Sequence, residues 1–411
     1  MLTRGLMGRN SCVPSDSGTR GKSLENTGAK PMRVATKSDV EFIVAAYASA
    51  FAFSRDRTTE YIEQTGLSNF HVIEHAGSRA AVLALIETGH WFSGKIVPAC
   101  NIAHVAISPE YRGLGIAGTI LDFAASEAIR RGAMVASLFA STRPLYRKSG
   151  FELAGSEIVY EADTRELYKI KGQIQCRRVE MAQAREIIKP IYAQHCRTEA
   201  GVLDRNEAHW NVLLQSSGDE LATYVFEDNG HDIGYIVLDT GNPEGLVLRD
   251  WAALSGITAR QILKFLGTFS TVYPRVRWHG APQDALTFEM PDKGWRLVHQ
   301  EEFLMRILSP KLALAARGYE CSSGRLRIDV VEPSQKHSLL LTVDSGIGTC
   351  EEDALGSADI TIELAQFATL YSGFRNAQFL AKAGWISGEP AAIKQCCNIF
   401  SGPTPWVGEH F

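Results

Sequence analysis

At 411 residues, 45% hydrophobic and 21% charged, the chain has the length for roughly two to four domains and the composition of an ordinary soluble globular protein. Its net charge of −4 excludes a general electrostatic attraction for nucleic acid or for an anionic membrane. The eight cysteines form no C-x-x-C pair and have no histidines at ligand spacing, so no metal site or disulfide scaffold is expected, and reduced thiols in a cytoplasmic protein are; no apolar run approaches the roughly 18 residues that span a bilayer.

Residues 1–31 are polar, contain much Gly and Ser and lack an apolar h-region, which predicts a disordered extension and no secretory signal. From Met32 a short strand leads to Ser38, an N-cap with Glu41 three residues on, and to an apolar helical pattern through Val40, Ile43, Val44 and Tyr47. Phe70–Glu74 and Ala80–Glu87 read as a hairpin around His75-Ala76-Gly77-Ser78. The strand Ile102–Ser108 then runs into Arg112-Gly113-Leu114-Gly115-Ile116-Ala117-Gly118, where three glycines let the backbone approach a ligand closely. A helix follows with Ile116, Ile120, Leu121, Ala124 and Ala128 on one side, and it ends at Arg130-Arg131-Gly132, cations and a C-cap glycine placed as the dipole and left-handed geometry want them.

The free amides at the start of that helix would hold a pyrophosphate, although a plain tight turn from strand to helix would use the same residues. A dinucleotide site would need an acidic residue at the end of the next strand, Val135–Ser141, which has none, and a Walker loop would need Gly-Lys-Ser/Thr. Tyr146 stands in the loop after this strand, and Leu153–Tyr160 alternates as the last strand of the first sheet.

Arg112, Gly115 and Ala117 satisfy the signature R/Q-x-x-G-x-G/A between a strand and a helix, and in this the stretch resembles the GNAT superfamily of N-acetyltransferases. The resemblance implies a turn that binds the pyrophosphate of acetyl-CoA, a preceding strand that pairs with the pantetheine arm, and a tyrosine, here Tyr146, that protonates the leaving thiolate. Phe51 and Phe53 fall in a region that lines the acceptor pocket in related proteins, with core packing as their other role.

Past a charged stretch at Tyr160–Lys171, a second unit repeats the layout. Ala182–Glu199 is helical in pattern, Thr223–Glu227 and Gly234–Asp239 pair, Leu246–Leu254 is a strand, Thr258–Phe269 a helix, and Val276–His279 and Phe303–Leu308 finish it. No glycine turn separates Leu254 from Thr258, so this unit is expected to lack CoA. From Ser309, a helix at Pro310–Arg317, strands at Gly324–Val331, Ser338–Val343 and Ile360–Glu363, and helices at Leu364–Tyr371 and Asn376–Ala383 suggest an α+β module. Ala358–Ile362 and Phe367–Gly373 within it resemble the sterol carrier protein fold, whose implication is either a lipid tunnel or a structural role. The expected organisation is mixed α/β: an extension at 1–31, a catalytic GNAT domain at 32–164, a second GNAT-like domain at 165–308 and a sterol-carrier-like domain at 309–411.

That arrangement, with Leu145–Phe151, Asp250–Leu254, Val276–Trp278 and the final Pro405-Trp406 to Phe411, resembles the enhanced intracellular survival family of acetyltransferases from Met32 onward. The resemblance implies a hexameric enzyme that moves acetyl from acetyl-CoA to an amine of a small molecule or peptide, such as an aminoglycoside, polyamine or lysine. It assigns Tyr146 as general acid and the Phe411 carboxylate as general base. Val105, Ala106 and Ile107 would bind pantetheine, Arg112, Gly113, Leu114, Gly115, Ile116, Ala117 and Gly118 the pyrophosphate, and Ser141 and Thr142 the CoA arm. His410 stands where members of the family can carry an acidic residue that attracts cationic acceptors. A transferase of longer acyl chains and a non-catalytic CoA- or lipid-binding protein are the rival readings.

Overall fold

The computed structural model describes residues 32–215, 220–242, 244–290, 294–353 and 356–411, so the expected disordered extension lies outside the described residues. The two units that the sequence separates share one sheet of fourteen strands. From one edge its order is Arg33–Val34, Phe70–His75, Ser78–Phe92, Lys95–Ile107, Val135–Phe139, Trp295–Ile307, Glu152–Asp163, Arg275–His279, Leu246–Ala253, His231–Asp239, Leu221–Asp228 and Cys176–Val179, with Ala200–Asp204 and Trp406–Val407 off this path.

The strand Glu152–Asp163 is therefore not the next neighbour of Val135–Phe139. The last strand of the second unit, Trp295–Ile307, is inserted between them, antiparallel to both. Its second half buries Phe303, Leu304, Met305 and Ile307, and this is the apolar part that the sequence marks as Phe303–Leu308. The first half, through Trp295, Leu297 and Val298, is exposed and carries no burial pattern to read.

Local signals hold with small shifts. The first helix spans Val40–Phe51, but its capping box is Thr36 with Asp39 across a 3-10 turn; Ser38 lies inside that turn. Asp39 is already tied to Arg33 and Arg79, which puts the carboxylate at position 39 within reach of the Thr36 amide. Helix Ile116–Arg130 buries Ile116, Ile120, Leu121, Ala124 and Ala128 as its pattern requires. Tyr146 sits in a short helix, Arg143–Lys148, and not in a loop; Pro144 in its first turn supplies a preset φ.

The C-terminal module is a five-stranded sheet ordered Ile347–Glu352, Lys336–Asp344, Ser323–Val331, Ile360–Glu363, Ile386–Gly388. Tyr371 in its helix Leu364–Ser372 meets Phe92 of the first unit edge-on at 5.6 Å, so the module docks on that unit. The chain's end returns farther still. Trp406–Val407 runs parallel to Ser156–Glu157 in the shared sheet. It crosses Gly201, where a Cβ would lie 2.9 Å from the Trp406 backbone nitrogen and oxygen, so only glycine admits the strand there.

Candidate active site at a fork in the sheet

The strands Lys95–Ile107 and Val135–Phe139 pair in parallel only from Ala99–Asn101 to Val135–Ser137, and beyond that they part. The fork is pinned by buried polar groups: the Ser137 hydroxyl lies 2.8 Å from Asn101 Oδ1 and from His90 Nε2, while His90 Nδ1 reaches the Gly201 carbonyl. Burial pushes His90 down to about 4, so it is neutral near pH 7.

On the other flank of Lys95–Ile107 the ladder slips. Val82 faces Ala106 and Ala84 faces Ala103, so Leu83 is opposed by both His104 and Val105. His104 takes φ 50 to make this bulge. A bulge interrupts the ladder, and of the two residues at this one, His104 and Val105, both line the cavity described below.

The strand then leads to the glycine turn, where Arg112 Nε donates to the Ile107 carbonyl at 3.1 Å. Gly113 and Gly115 hold φ 81 and 79, and Gly115 caps the following helix with no side chain over its first amides. A Cβ placed on Gly113, Gly115 or Gly118 would meet nothing within 4 Å. The cradle is thus open toward a ligand, and its free amides and helix dipole suit a pyrophosphate. Ile116 is buried beneath, fixing the helix to the sheet, and Leu114 points outward.

A cavity of about 640 Å³ brings Val105, Ser141, Tyr146 and Phe411 together, with His104 and His410 also on its wall. Ala106, Ile107, Arg112 to Gly118 and Thr142 are not part of that wall; they lie along the strand, turn and loop that lead from it. The Tyr146 phenol is buried and raised above its usual range by that burial, which outweighs the opposing influence of Ser141, so it is protonated at neutral pH.

The last three residues are held individually. Glu409 accepts from Arg205, which also makes two bonds of 2.7 Å to Asp250 and lies 3.9 Å over the Tyr192 ring. The His410 ring stacks on Phe139 at 4.1 Å, and its Nδ1 is 3.0 Å from Glu157. The other Glu157 oxygen is 3.0 Å from His279. Burial would raise Glu157, but His279 and His410 hold it down at about 2. Burial alone would lower His410, and the bond to Glu157 with its charge outweighs this and raises it. The Phe411 ring is buried against Phe139 at 5.0 Å and Phe303 at 6.4 Å.

Sequence reasoning missed three residues of this region. His104 faces Tyr47, Phe51, Phe53 and Tyr61 with centroids 4.8–5.6 Å away, and burial, with repulsion from His410 and Arg57, takes it to about 4. A histidine inside an apolar strand was its one visible signal. Arg205 and Glu157 gave none, because each acts on the tail from more than two hundred positions away. Phe51 and Phe53 both pack against Tyr47 and line the cavity, so the two roles considered for them coincide. Cys100 is buried in the core, and burial pushes its thiol up to about 12.

Comparison with known proteins matches the description Acetyltransferase (GNAT) domain to residues 31–154 and again, with a second profile so described, to residues 201–307; the description Sterol carrier protein domain matches residues 310–408. The protein is an acyltransferase of the GNAT type. The acyltransferase is 26% identical to a GCN5-related N-acetyltransferase from Anabaena variabilis, whose crystal structure it matches with a TM-score of 0.87 over 93% of this chain and 100% of that one. An uncharacterized N-acetyltransferase of Streptomyces avermitilis is 25% identical over 349 residues, 77% of this chain and 82% of that protein. Eis1 from Mycobacterium abscessus, at 20% identity, shares the fold with a TM-score of 0.74 over 93% of this chain and 100% of its own. The mixed α/β architecture of two GNAT domains followed by a sterol-carrier-like domain therefore stands. Among the described residues no helix is long and apolar enough to cross a membrane.

Proposed function

We propose that the acyltransferase moves an acetyl group from acetyl-CoA directly to a primary amine within a ternary complex, and that it belongs with the enhanced intracellular survival enzymes. The observation that carries this is the single cavity on which the bulge at Val105, the Tyr146 side chain and the chain's last residue converge. Acetyl-CoA would be held by the Val105–Ile107 backbone, by Ser141 and Thr142 and by the turn from Arg112 to Gly118, and when bound it supplies an acyl group activated as a thioester. The Val105 amide, at the bulge, would donate to the thioester oxygen as charge gathers there. The Phe411 carboxylate takes a proton from the attacking ammonium, directly or through water. Its buried surroundings matter, because a carboxylate of ordinary pKa is a poor base toward an ammonium near 10. Tyr146, kept protonated by burial, gives its proton to the departing thiolate.

The second GNAT domain has Ser255-Gly256-Ile257 where the first has its glycine turn, and Ser255 caps the helix with its own side chain, accepting from Thr258 N. The amides that a pyrophosphate would use are partly taken, which supports one CoA site per chain. A hexamer, a cytoplasmic location and an aminoglycoside, polyamine or lysine acceptor remain implications of the family resemblance; light scattering decides the first. For the reaction itself, Tyr146→Phe should lower kcat by about 10²–10⁴ with the acetyl-CoA dissociation constant unchanged. Full turnover in that variant would remove Tyr146 as the acid.

A further inference from the structure

On the far side of Phe411 lies a second chamber of about 330 Å³ that shares Tyr61, Val212, Arg249, His410 and Phe411 with the first cavity. It is roofed by two helices, Arg55–Thr65 of the first unit and Glu207–Leu214 of the second, and floored by the shared sheet. Ile86, Ala208, Val212, Leu213 and Val247 form an aliphatic part of its wall, His209, Asp239, Arg249, His279 and Glu409 a polar part, and the Tyr61 and Phe411 rings close it toward the reacting centre. Its position places it where the body of an acceptor would extend once the amine faces Tyr146 and Val105 across the Phe411 carboxylate.

The acidic groups of the chamber wall, and Glu157 behind it, are bonded within the protein. Glu157 is shared between His279 and His410, Glu409 is bound by Arg205, and Asp239, on the chamber wall, accepts at Oδ1 from the Gly241 amide at 2.8 Å. Arg249 lines both spaces, and in the first cavity Arg57 stands with Glu60 and Glu301. Inside the chamber a second ammonium would lie among aliphatic side chains and carboxylates already bonded to the protein, whereas a methylene would gain burial.

Resting on the acetyltransferase reading above, we infer that the acceptor is a monoamine with an extended apolar or aromatic body, and that the chamber lined by Ile86, Val212, Leu213 and Val247 receives that body. Burial is worth about 0.8 kcal/mol per methylene, so kcat/KM should rise about fourfold with each added carbon until the chamber is full.

The test is a series of straight-chain primary amines from propylamine to hexylamine, with 2-phenylethylamine, the matching α,ω-diamines, spermidine and kanamycin, all with acetyl-CoA. A rise of about fourfold per carbon, and diamines at least tenfold below monoamines of equal length, is expected. Leu213→Asp should abolish the slope and Leu213→Ala should move its plateau to longer chains, while acetyl-CoA binding measured directly reports that each variant is folded. A flat series, or a preference for spermidine or kanamycin, overturns the inference and leaves the acetyltransferase reading intact. So does a donor preference for hexanoyl-CoA with short amines, which would assign the chamber to the acyl chain. No turnover with any amine, in protein that binds acetyl-CoA, overturns both.

Discussion

Replacing Arg205 with methionine tests how the tail is held. The guanidinium is 3% exposed and faces two carboxylates, Asp250 at 9% and Glu409 at 17%. Tyr235 also donates to Asp250, and the rings of Tyr192 and Trp210 lie 3.9 and 4.9 Å from the guanidinium carbon. Methionine fills much of the same volume but strands both carboxylates, and removing one partner from a buried ion cluster costs about 3–5 kcal/mol. With a urea slope of about 3 kcal/mol/M, the unfolding midpoint of the shared sheet should fall by about 1 M or more. Tryptophan fluorescence is a suitable probe, since Trp210 and Trp406 belong to the same buried cluster. The same change should free Glu409 and hence Phe411, so carboxypeptidase should release Phe411 faster under native conditions. Because Glu409 is raised by burial, with Asp250 adding to it, Arg205→Met with Glu409→Gln should recover part of the lost stability by removing one stranded charge. A loss below about 1 kcal/mol with an unchanged release rate would refute the idea that this cluster places the terminal carboxylate.

Three further outcomes follow from the site. Appending even a short tag after Phe411, or deleting it, should abolish turnover while acetyl-CoA still binds by calorimetry; a fully active tagged enzyme would sink the carboxylate assignment. Gly115→Val puts a branched side chain at φ 79 in the cradle and should weaken acetyl-CoA at least tenfold with little effect on the amine's KM, and an unaltered affinity would place the pyrophosphate elsewhere. The contact between Glu157 and His410 should depend on pH from both sides. Glu157 is depressed from 4.5 to about 2, so its contribution is complete above 4.5 and lost as pH falls toward 2; His410 is raised from 6.5, so its contribution is complete below 6.5 and lost as pH rises through its folded value. Tail release should thus be slowest between about pH 4.5 and 6.5, and His410→Asn should flatten the alkaline side.

The parts of the site that are local in sequence were legible, and those that are not were invisible for a physical reason. Arg112 to Gly118 announces itself because glycine spacing and a helix start report backbone geometry directly. Tyr146 was singled out by the family resemblance, which expects a tyrosine after the strand, while the helix Arg143–Lys148 that carries it was too short to show a period. The exchange of Trp295–Ile307 into the first domain has no signature, since a strand's alternation says which face is buried and nothing about which strand lies beside it. The half that would have extended the reading, Trp295–Glu302, is exposed or only partly buried, so alternation there carries no information. Arg205 reads as one more charge following a short strand, Ala200–Asp204, and only the folded chain reveals that two carboxylates from distant segments meet it.

The inserted strand also accounts for how a residue at the end of the third domain reaches the cavity of the first. Trp295–Ile307 fills the place beside Val135–Phe139, and so pushes Glu152–Asp163 one position outward, where Trp406–Val407 can pair with its Ser156–Glu157 segment. That pairing carries Phe411 to Phe139 and Phe303, one ring from each of the two strands brought together by the exchange. If Glu152–Asp163 had stayed beside Val135–Phe139, Phe303 would not stand beside Phe411 and the tail would meet a different edge. The strand exchange between the GNAT domains and the seating of Phe411 at the cavity are then one structural event. Phe303→Ala should therefore disturb the position of Phe411, seen as faster carboxypeptidase release, as well as costing the about 3–5 kcal/mol of an emptied core site. A variant that loses the stability but keeps the tail protected would separate the two and show that the terminal strand alone seats the carboxylate.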